Sequence, residues 1–216
     1  MIIAIDGPAG AGKSTIAKRV AEFKGFLYID TGAMYRALTL KVIEAGIKAD
    51  NLSSIIQIAQ STSIDLISNN DGYLKVLLDG RDVSREIREP RITRMVSDIS
   101  KIKEVREVML KLQRQFGKKS NSVLDGRDIG TVVFPDADKK FYLDANLNER
   151  AKRRHKEMLE AGQNISFEEV CADLTNRDRI DSTREVAPLK KAEDAIYVDT
   201  THMTIDEVVN TVLSKI

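Results

Sequence analysis

The 216-residue chain reads as an α/β fold: a parallel central sheet with helices on both faces, an inserted subdomain carrying a β-hairpin, and a short helical lid. Three observations predict it. Strand-like and helix-like patterns alternate from the N-terminus, which calls for parallel strands joined by helical crossovers. A glycine-rich turn separates the first strand from the first helix. Two apolar runs flanking Asn69-Asn-Asp-Gly72 interrupt the alternation, as a hairpin does. At 42% hydrophobic and 31% charged residues, the composition is that of a globular domain with one core.

In chain order, Ile2 to Ile5 is a short β-prone run ending at Asp6-Gly7-Pro8, and Ile16, Val20 and Phe23 follow from Lys13 at helical spacing. Leu27-Tyr28-Ile29 predicts a second strand. Met34, Leu38, Val42 and Ile43 continue as a helix that Gly46 can end. Asn51 to Ser61 reads as helix, then Ile64–Ile67 and Tyr73–Leu78 form the hairpin. Helices over Pro90–Ser100 and Lys103–Phe116 precede strands at Ser122–Leu124 and Lys140–Leu143. Asn146, Ser166 and Thr204 each stand three residues before a Glu, the signature of a capped helix start. Ala195–Val198 predicts the last strand. The predicted parts of this single domain are a core of residues 1–46, 120–146 and 185–216, an insertion of 47–119, and a lid and arm of 147–184.

The 34 basic residues nearly balance the 33 acidic ones, giving a net charge of +1. That argues against a nucleic-acid coat or a polybasic membrane arm, both of which need concentrated positive charge. A small-molecule partner and a monomer are expected. Cys171 has no internal partner, His155 and His202 have no zinc spacing, and no leader or apolar span is recognisable, so a cytoplasmic protein is expected.

Gly7-Pro8-Ala9-Gly10-Ala11-Gly12-Lys13-Ser14 matches G-x-x-x-x-G-K-[ST] between a predicted strand and a predicted helix. Small residues let backbone N–H groups surround phosphate oxygens, and the helix N-terminus adds partial positive charge. Lys13 reaches the terminal phosphates, and the Ser14 hydroxyl can ligate Mg²⁺, partly through water; Thr15 completes the ATP-binding stretch. The guanine-reading N/T-K-x-D string is missing, since Thr175-Asn-Arg-Asp178 has Arg in place of Lys. After Asp125 stands Gly126 rather than the second acid of a water-activating motor. Transfer to a bound acceptor is the reading left.

Three further strings can supply that acceptor site. Asp30-Thr-Gly-Ala-Met-Tyr-Arg36 follows the second strand at the sheet's carboxyl edge; on spacing alone it is equally a turn in which Thr31 caps a helix. Asp125-Gly-Arg-Asp-Ile-Gly130 ends the next core strand with two acids and an Arg. Arg177, Asp181 and Arg184 share one helical face, and spacing by itself favours a solvated salt-bridge face there. Arg150, Arg153 and Arg154 open the lid, either as mobile phosphate donors or as solvated helix charge.

Together these strings, with Leu78-Asp-Gly-Arg-Asp-Val-Ser84, Ile87-Arg88 and Val186-Ala-Pro188, closely resemble the bacterial cytidylate kinases over nearly the whole chain. The long Gly-Arg-Asp string is specific to that family. The resemblance implies a P-loop kinase fold and transfer of the γ-phosphoryl group of ATP to CMP or dCMP, with Mg²⁺. It implies that Ser97, Arg106 and Asp128 hold cytosine, that Arg36 and Arg127 hold the monophosphate, and that Arg177, Asp181 and Arg184 contact phosphate or ribose, with Thr31 and Tyr35 beside them. Lys13, Arg127, Arg177, Arg153 and Arg154 are the implied catalytic cations. Two alternatives stay open: a hydroxyl-acceptor kinase of the same fold, which needs an Asp base, and a nucleotide-binding regulator without turnover.

Overall fold

The computed structural model describes residues 1–68, 74–160 and 162–216; the turn expected at Asn69–Gly72 lies outside them. In order come β1 (Ile2–Asp6), α1 (Lys13–Lys24), β2 (Leu27–Asp30), α2 (Thr31–Glu44), α3 (Leu52–Ser61), β3 (Ile64–Ser68), β4 (Leu74–Leu78) and β5 (Arg81–Asp82). They are followed by α4 (Pro90–Ser100), α5 (Lys103–Gly117), β6 (Ser122–Gly126), β7 (Lys139–Asp144), α6 (Leu147–Glu160), α7 (Phe167–Thr183), β8 (Ile196–Asp199) and α8 (Ile205–Leu213). A 3₁₀ turn at Glu86–Arg88 and a π-turn at Ile129–Val133 have no counterpart in the sequence reading.

The main sheet runs β2-β6-β1-β7-β8, every neighbouring pair parallel. β3, β4 and β5 form a separate antiparallel sheet. Successive residues of a strand point to opposite faces, and here both faces are covered. In β1, Ile3 and Ile5 pack with Ile16, Val20 and Val209 of α1 and α8, whereas Ala4 faces the larger cluster built around α2, α4 and α5. Val123 and Leu124 of β6 divide in the same way. Consecutive apolar residues therefore feed two cores at once, which is why these strands read as unbroken runs. A third, small cluster joins Ala9 of the glycine loop to Ala151, Met158, Val170 and Leu174 of α6 and α7.

The capping boxes predicted at Ser166 and Thr204 are both formed. At Asn146 the side chain accepts from Glu149 N (2.8 Å), but Glu149 turns to Arg153 instead of closing the box. The start of α2 differs from expectation. Asp30, not Thr31, caps it, accepting from Ala33 N at 2.8 Å; Thr31 is already helical and donates its hydroxyl to the Asp125 carbonyl (2.6 Å).

Candidate active site

The glycine loop leaves β1 against the end of β7. Gly7 has φ +148°, and a Cβ there would lie 1.9 Å from the Leu143 carbonyl oxygen, so no larger residue fits. At Gly10 a Cβ would sit 3.0 Å from the Arg150 side chain. α1 starts without a side-chain cap, which leaves its first N–H groups free to meet an anion. Ala9, Gly10, Gly12, Lys13, Ser14 and Thr15 border a cavity of about 430 Å³. Gly7, Pro8 and Ala11 shape the loop from behind: the Pro8 carbonyl accepts from Lys13 Nζ at 2.6 Å, and Ala11 belongs to the core over α1.

Ser14 Oγ donates to Asp125 Oδ2 (2.8 Å), and the Tyr28 hydroxyl donates to Oδ1 of the same carboxylate (2.9 Å). Asp125 reaches Ser14 because β6 lies beside β1, with Asp125 opposite Ile5. Burial and then the adjacent Asp30 push the Asp125 carboxyl up to about 6. Asp30 and Asp125 pair across β2 and β6, so two acids end neighbouring strands at the mouth of the cavity.

Around that cavity stand Lys13, Arg36, Arg88, Arg127, Arg154 and Arg177, against the carboxylates of Asp30, Asp125 and Glu157. Arg88 is paired with Asp30 (3.1 Å) and Arg127 with Asp181 (2.8 Å). Arg36 is held by neutral groups, the Thr93 hydroxyl (2.9 Å) and the Ile87 carbonyl (3.4 Å). Arg177 Nε is buried without a partner among the described residues. Burial, then Arg127, lowers the Arg177 pKa to about 10, and burial, then Arg127, also draws Lys13 well below its ordinary value. Partly desolvated, mutually repelling cations around a cavity make a site for a polyanion.

Next to it a smaller cavity of about 50 Å³ is bordered by Thr31, Tyr35, Ser97, Arg106, Asp128, Asp181 and Arg184, and it shares Arg127 and Arg177 with the larger one. The expected acceptor residues thus converge from α2, α4, α5, α7 and the loop after β6, except that Arg36 borders the larger cavity and not the smaller one. Asp128 Oδ2 receives Arg106 Nη2 at 2.5 Å, and its Oδ1 faces Arg184 Nη2 at 3.4 Å. The Arg106 guanidinium lies 5.5 Å from the centre of the Tyr35 ring. Arg184 also approaches Asp181 (3.6 Å).

Burial alone would raise the Asp181 pKa, but Arg127, Arg177 and Arg184 outweigh it and hold the carboxyl below the ordinary range. A depressed carboxylate contributes stability that is present above the unfolded value of 3.8 and lost as pH falls through the folded value. Asp181→Asn therefore lowers unfolding free energy by about 3–5 kcal/mol at pH 7. Urea titrations should show that deficit shrinking only as the pH falls below about 4.

The three lid arginines separate. Arg154 borders the larger cavity, paired with Glu157 at 3.1 Å. Arg153, about 100° around the helix from it, points away and bonds the Thr200 carbonyl (2.6 Å), the Thr200 hydroxyl (3.0 Å) and Glu149 (3.0 Å). Arg150 is buried as a tie between the Ala9 carbonyl (3.0 Å), the Ala145 carbonyl (2.9 Å) and Asp178 (2.5 Å). Asp30, Arg88 and Asp125, which stood in the sequence strings without a role of their own, also border the site. The two acids were legible as polar residues ending parallel strands, the edge at which such sheets bind ligands.

The cytidylate kinase family profile matches residues 3–216. Cytidylate kinases of Clostridioides difficile and Caldanaerobacter subterraneus are 52% and 51% identical to this chain; the alignments cover 100% and 99% of it and 98% and 93% of theirs. Among solved structures, an uncharacterized protein of Eubacterium ventriosum (TM-score 0.52, 13% identity) and shikimate kinase of Bacteroides thetaiotaomicron (TM-score 0.50, 11% identity) align with 100% of this chain and 97% of their own. These two likenesses show the fold alone. With full-length relatives at half identity and the phosphate loop, Gly-Arg-Asp string and arginine face gathered on one cleft, the chain belongs to the cytidylate kinase family.

Proposed function

We propose that the chain transfers the γ-phosphoryl group of ATP to CMP or dCMP, giving ADP and CDP or dCDP. The observation that carries this reading is the pair of adjoining cavities: one is bordered by the phosphate loop and cations, the other is floored by Asp128, and Arg127 and Arg177 belong to both. A donor phosphate in the first and an acceptor monophosphate at the junction would meet between those two arginines. The core supplies the loop, the insertion supplies Ser97 and Arg106, and the lid and arm supply Arg154, Arg177, Asp181 and Arg184.

The acceptor phosphate loses its second proton at a pKa of about 6, so at neutral pH its oxygen is already the nucleophile. No side chain has to act as base. Catalysis then reduces to bringing two polyanions in line and stabilising the charge spread over the transferring group. Lys13, Arg127, Arg154 and Arg177 are the cations aimed at that space, and the planar guanidinium suits two-point contact with phosphate. Arg36 grips the acceptor phosphate. In the base pocket, the Asp128 carboxylate accepts from the cytosine N4 amino group, while Arg106 and Ser97 serve the other polar edge.

Ser14 and Asp125 fit Mg²⁺, a hard cation that takes few protein oxygens and completes its shell with water and phosphate. Among the described residues there is no group of three or more His, Cys, Asp or Glu that could hold a metal alone; in this reading the cation arrives with the nucleotide. When bound it neutralises donor phosphate charge. Both cavities are bordered by one chain, so the site is complete in a monomer. In this reading the chain works in the cytoplasm on nucleotides; among the described residues no helix is long and apolar enough to cross a membrane.

Steady-state ADP release with CMP, dCMP, UMP and AMP tests the reading. Uracil presents O4, an acceptor, to the Asp128 acceptor, and an unpaired buried polar group costs about 1–3 kcal/mol. CMP should therefore exceed UMP in kcat/KM by roughly ten- to a hundredfold. Highest activity on AMP overturns the cytosine assignment, and ATP binding without transfer to any monophosphate overturns the kinase reading.

A further inference from the structure

Asp6 ends β1, one residue before the phosphate loop, and is buried at 4% exposure. No cation pairs with it among the described residues, and it borders neither cavity. Its two oxygens are both engaged by main chain: Oδ1 accepts from Ile129 N at 2.8 Å and Oδ2 from Gly130 N at 2.7 Å. Those N–H groups are the first two of the π-turn Ile129–Val133, which follows directly on Arg127 and Asp128. The Asp128 carbonyl in turn accepts from Val132 N (2.9 Å) and Val133 N (3.1 Å). From the other side, Arg114 of α5 donates to the Val132 and Val133 carbonyls, each at 2.9 Å. A wide, irregular turn is thus clamped at its start by a strand carboxylate and at its end by a helix guanidinium.

An unpaired carboxylate inside a sheet is costly, and burial pushes this one up to about 7 despite the two N–H donors. The other core-facing residues of β1 are apolar, so packing alone would place an apolar residue here too. What the carboxylate supplies is two acceptors fixed at the spacing of two consecutive N–H groups. π-turns recur at functional sites because they re-aim one residue without breaking the element, and the residue re-aimed here is Asp128.

We propose that Asp6 is a positioning residue for base recognition, setting the orientation of Asp128 through the N–H groups of Ile129 and Gly130 and thereby tying the base pocket to the strand that launches the phosphate loop. The proposal rests on Asp128 reading the base. Asp6 touches no substrate; it acts through the turn.

The test is the CMP to UMP ratio of kcat/KM with ATP as donor, a quantity insensitive to the fraction of folded enzyme. Asp6→Asn offers one acceptor and one donor to two N–H groups, so one of them is left facing a donor and the turn shifts. The expected result is a ratio lowered about tenfold, the size set by one buried hydrogen bond, with KM for ATP changed less than twofold. Asp6→Glu, which advances both oxygens by a methylene, should lower the ratio as well. In an Asp128→Asn background, adding Asp6→Asn should change the ratio no further, because both act through one group. If Asp128→Asn lowers the ratio and neither Asp6 variant does, Asp6 is not the positioning residue. Recovery of both Asp6 variants only as unfolded protein, by circular dichroism, also overturns the proposal. If Asp128→Asn itself leaves the ratio unchanged, the base-reading role of Asp128 fails first and this assignment falls with it.

Discussion

Lys13→Ala lowers turnover by about 10²–10³-fold, the cost of removing one preorganised donor from a site of developing charge. Its ammonium stands at the border of the larger cavity, anchored by the Pro8 carbonyl and crowded by Arg127 and Arg177. Among the described residues no carboxylate pairs with it, its one hydrogen bond being to that carbonyl, and its charge is available to the transferring group. Binding of the donor should suffer less, because backbone N–H groups of the loop and the other cations persist. Steady-state kcat and KM for ATP, with binding of a non-hydrolysable analogue measured separately, check the division. Retained turnover would show that Lys13 does not serve the transferring phosphate.

The second large effect is at Asp128. In Asp128→Ala the base pocket loses its acceptor, while Arg106 and Arg184 keep buried charge without the partner that both now contact. Losing a charge-assisted hydrogen bond to the base costs about 1.5–3 kcal/mol, so kcat/KM for CMP should fall about ten- to a hundredfold, and breaking the buried pair costs about 3–5 kcal/mol of folding free energy. Thermal stability should fall with it. Donor affinity should move no more than about threefold, since no atom of Asp128 borders the larger cavity. Equal losses for CMP and ATP would contradict the division of labour between the two cavities.

Much of this was legible in the residues themselves. The glycine loop announced itself because three requirements coincide there: small residues, a lysine and a strand–helix boundary. The capping boxes at Ser166 and Thr204 were readable because a cap is a local device, decided within four residues. Asp125 was harder. Its bond to Ser14 depends on β6 settling beside β1 across 111 residues of chain, and no local pattern encodes which strand becomes the neighbour. The lid arginines show the same limit in small form. Arg153 and Arg154 are adjacent in sequence, yet the first binds Thr200 and the second borders the cleft, a difference fixed by how α6 is rotated about its own axis. The π-turn escaped notice because Ile-Gly-Thr-Val-Val carries a strand-like pattern, and only the carboxylate of Asp6 and the guanidinium of Arg114 reveal what shapes it.

Arg177, its Nε without a partner among the described residues and its pKa lowered to about 10 by burial and then by Arg127, carries a charge whose hydration the fold has largely removed. Part of what an incoming phosphate gains is relief of that lost hydration and, after it, of the repulsion from Arg127, so affinity and folding draw on the same quantity. Any small multivalent anion that lodges there relieves it in kind. The buffer thus becomes a participant: sulfate or phosphate in solution is at once a competitor for the cleft and a stabiliser of the chain.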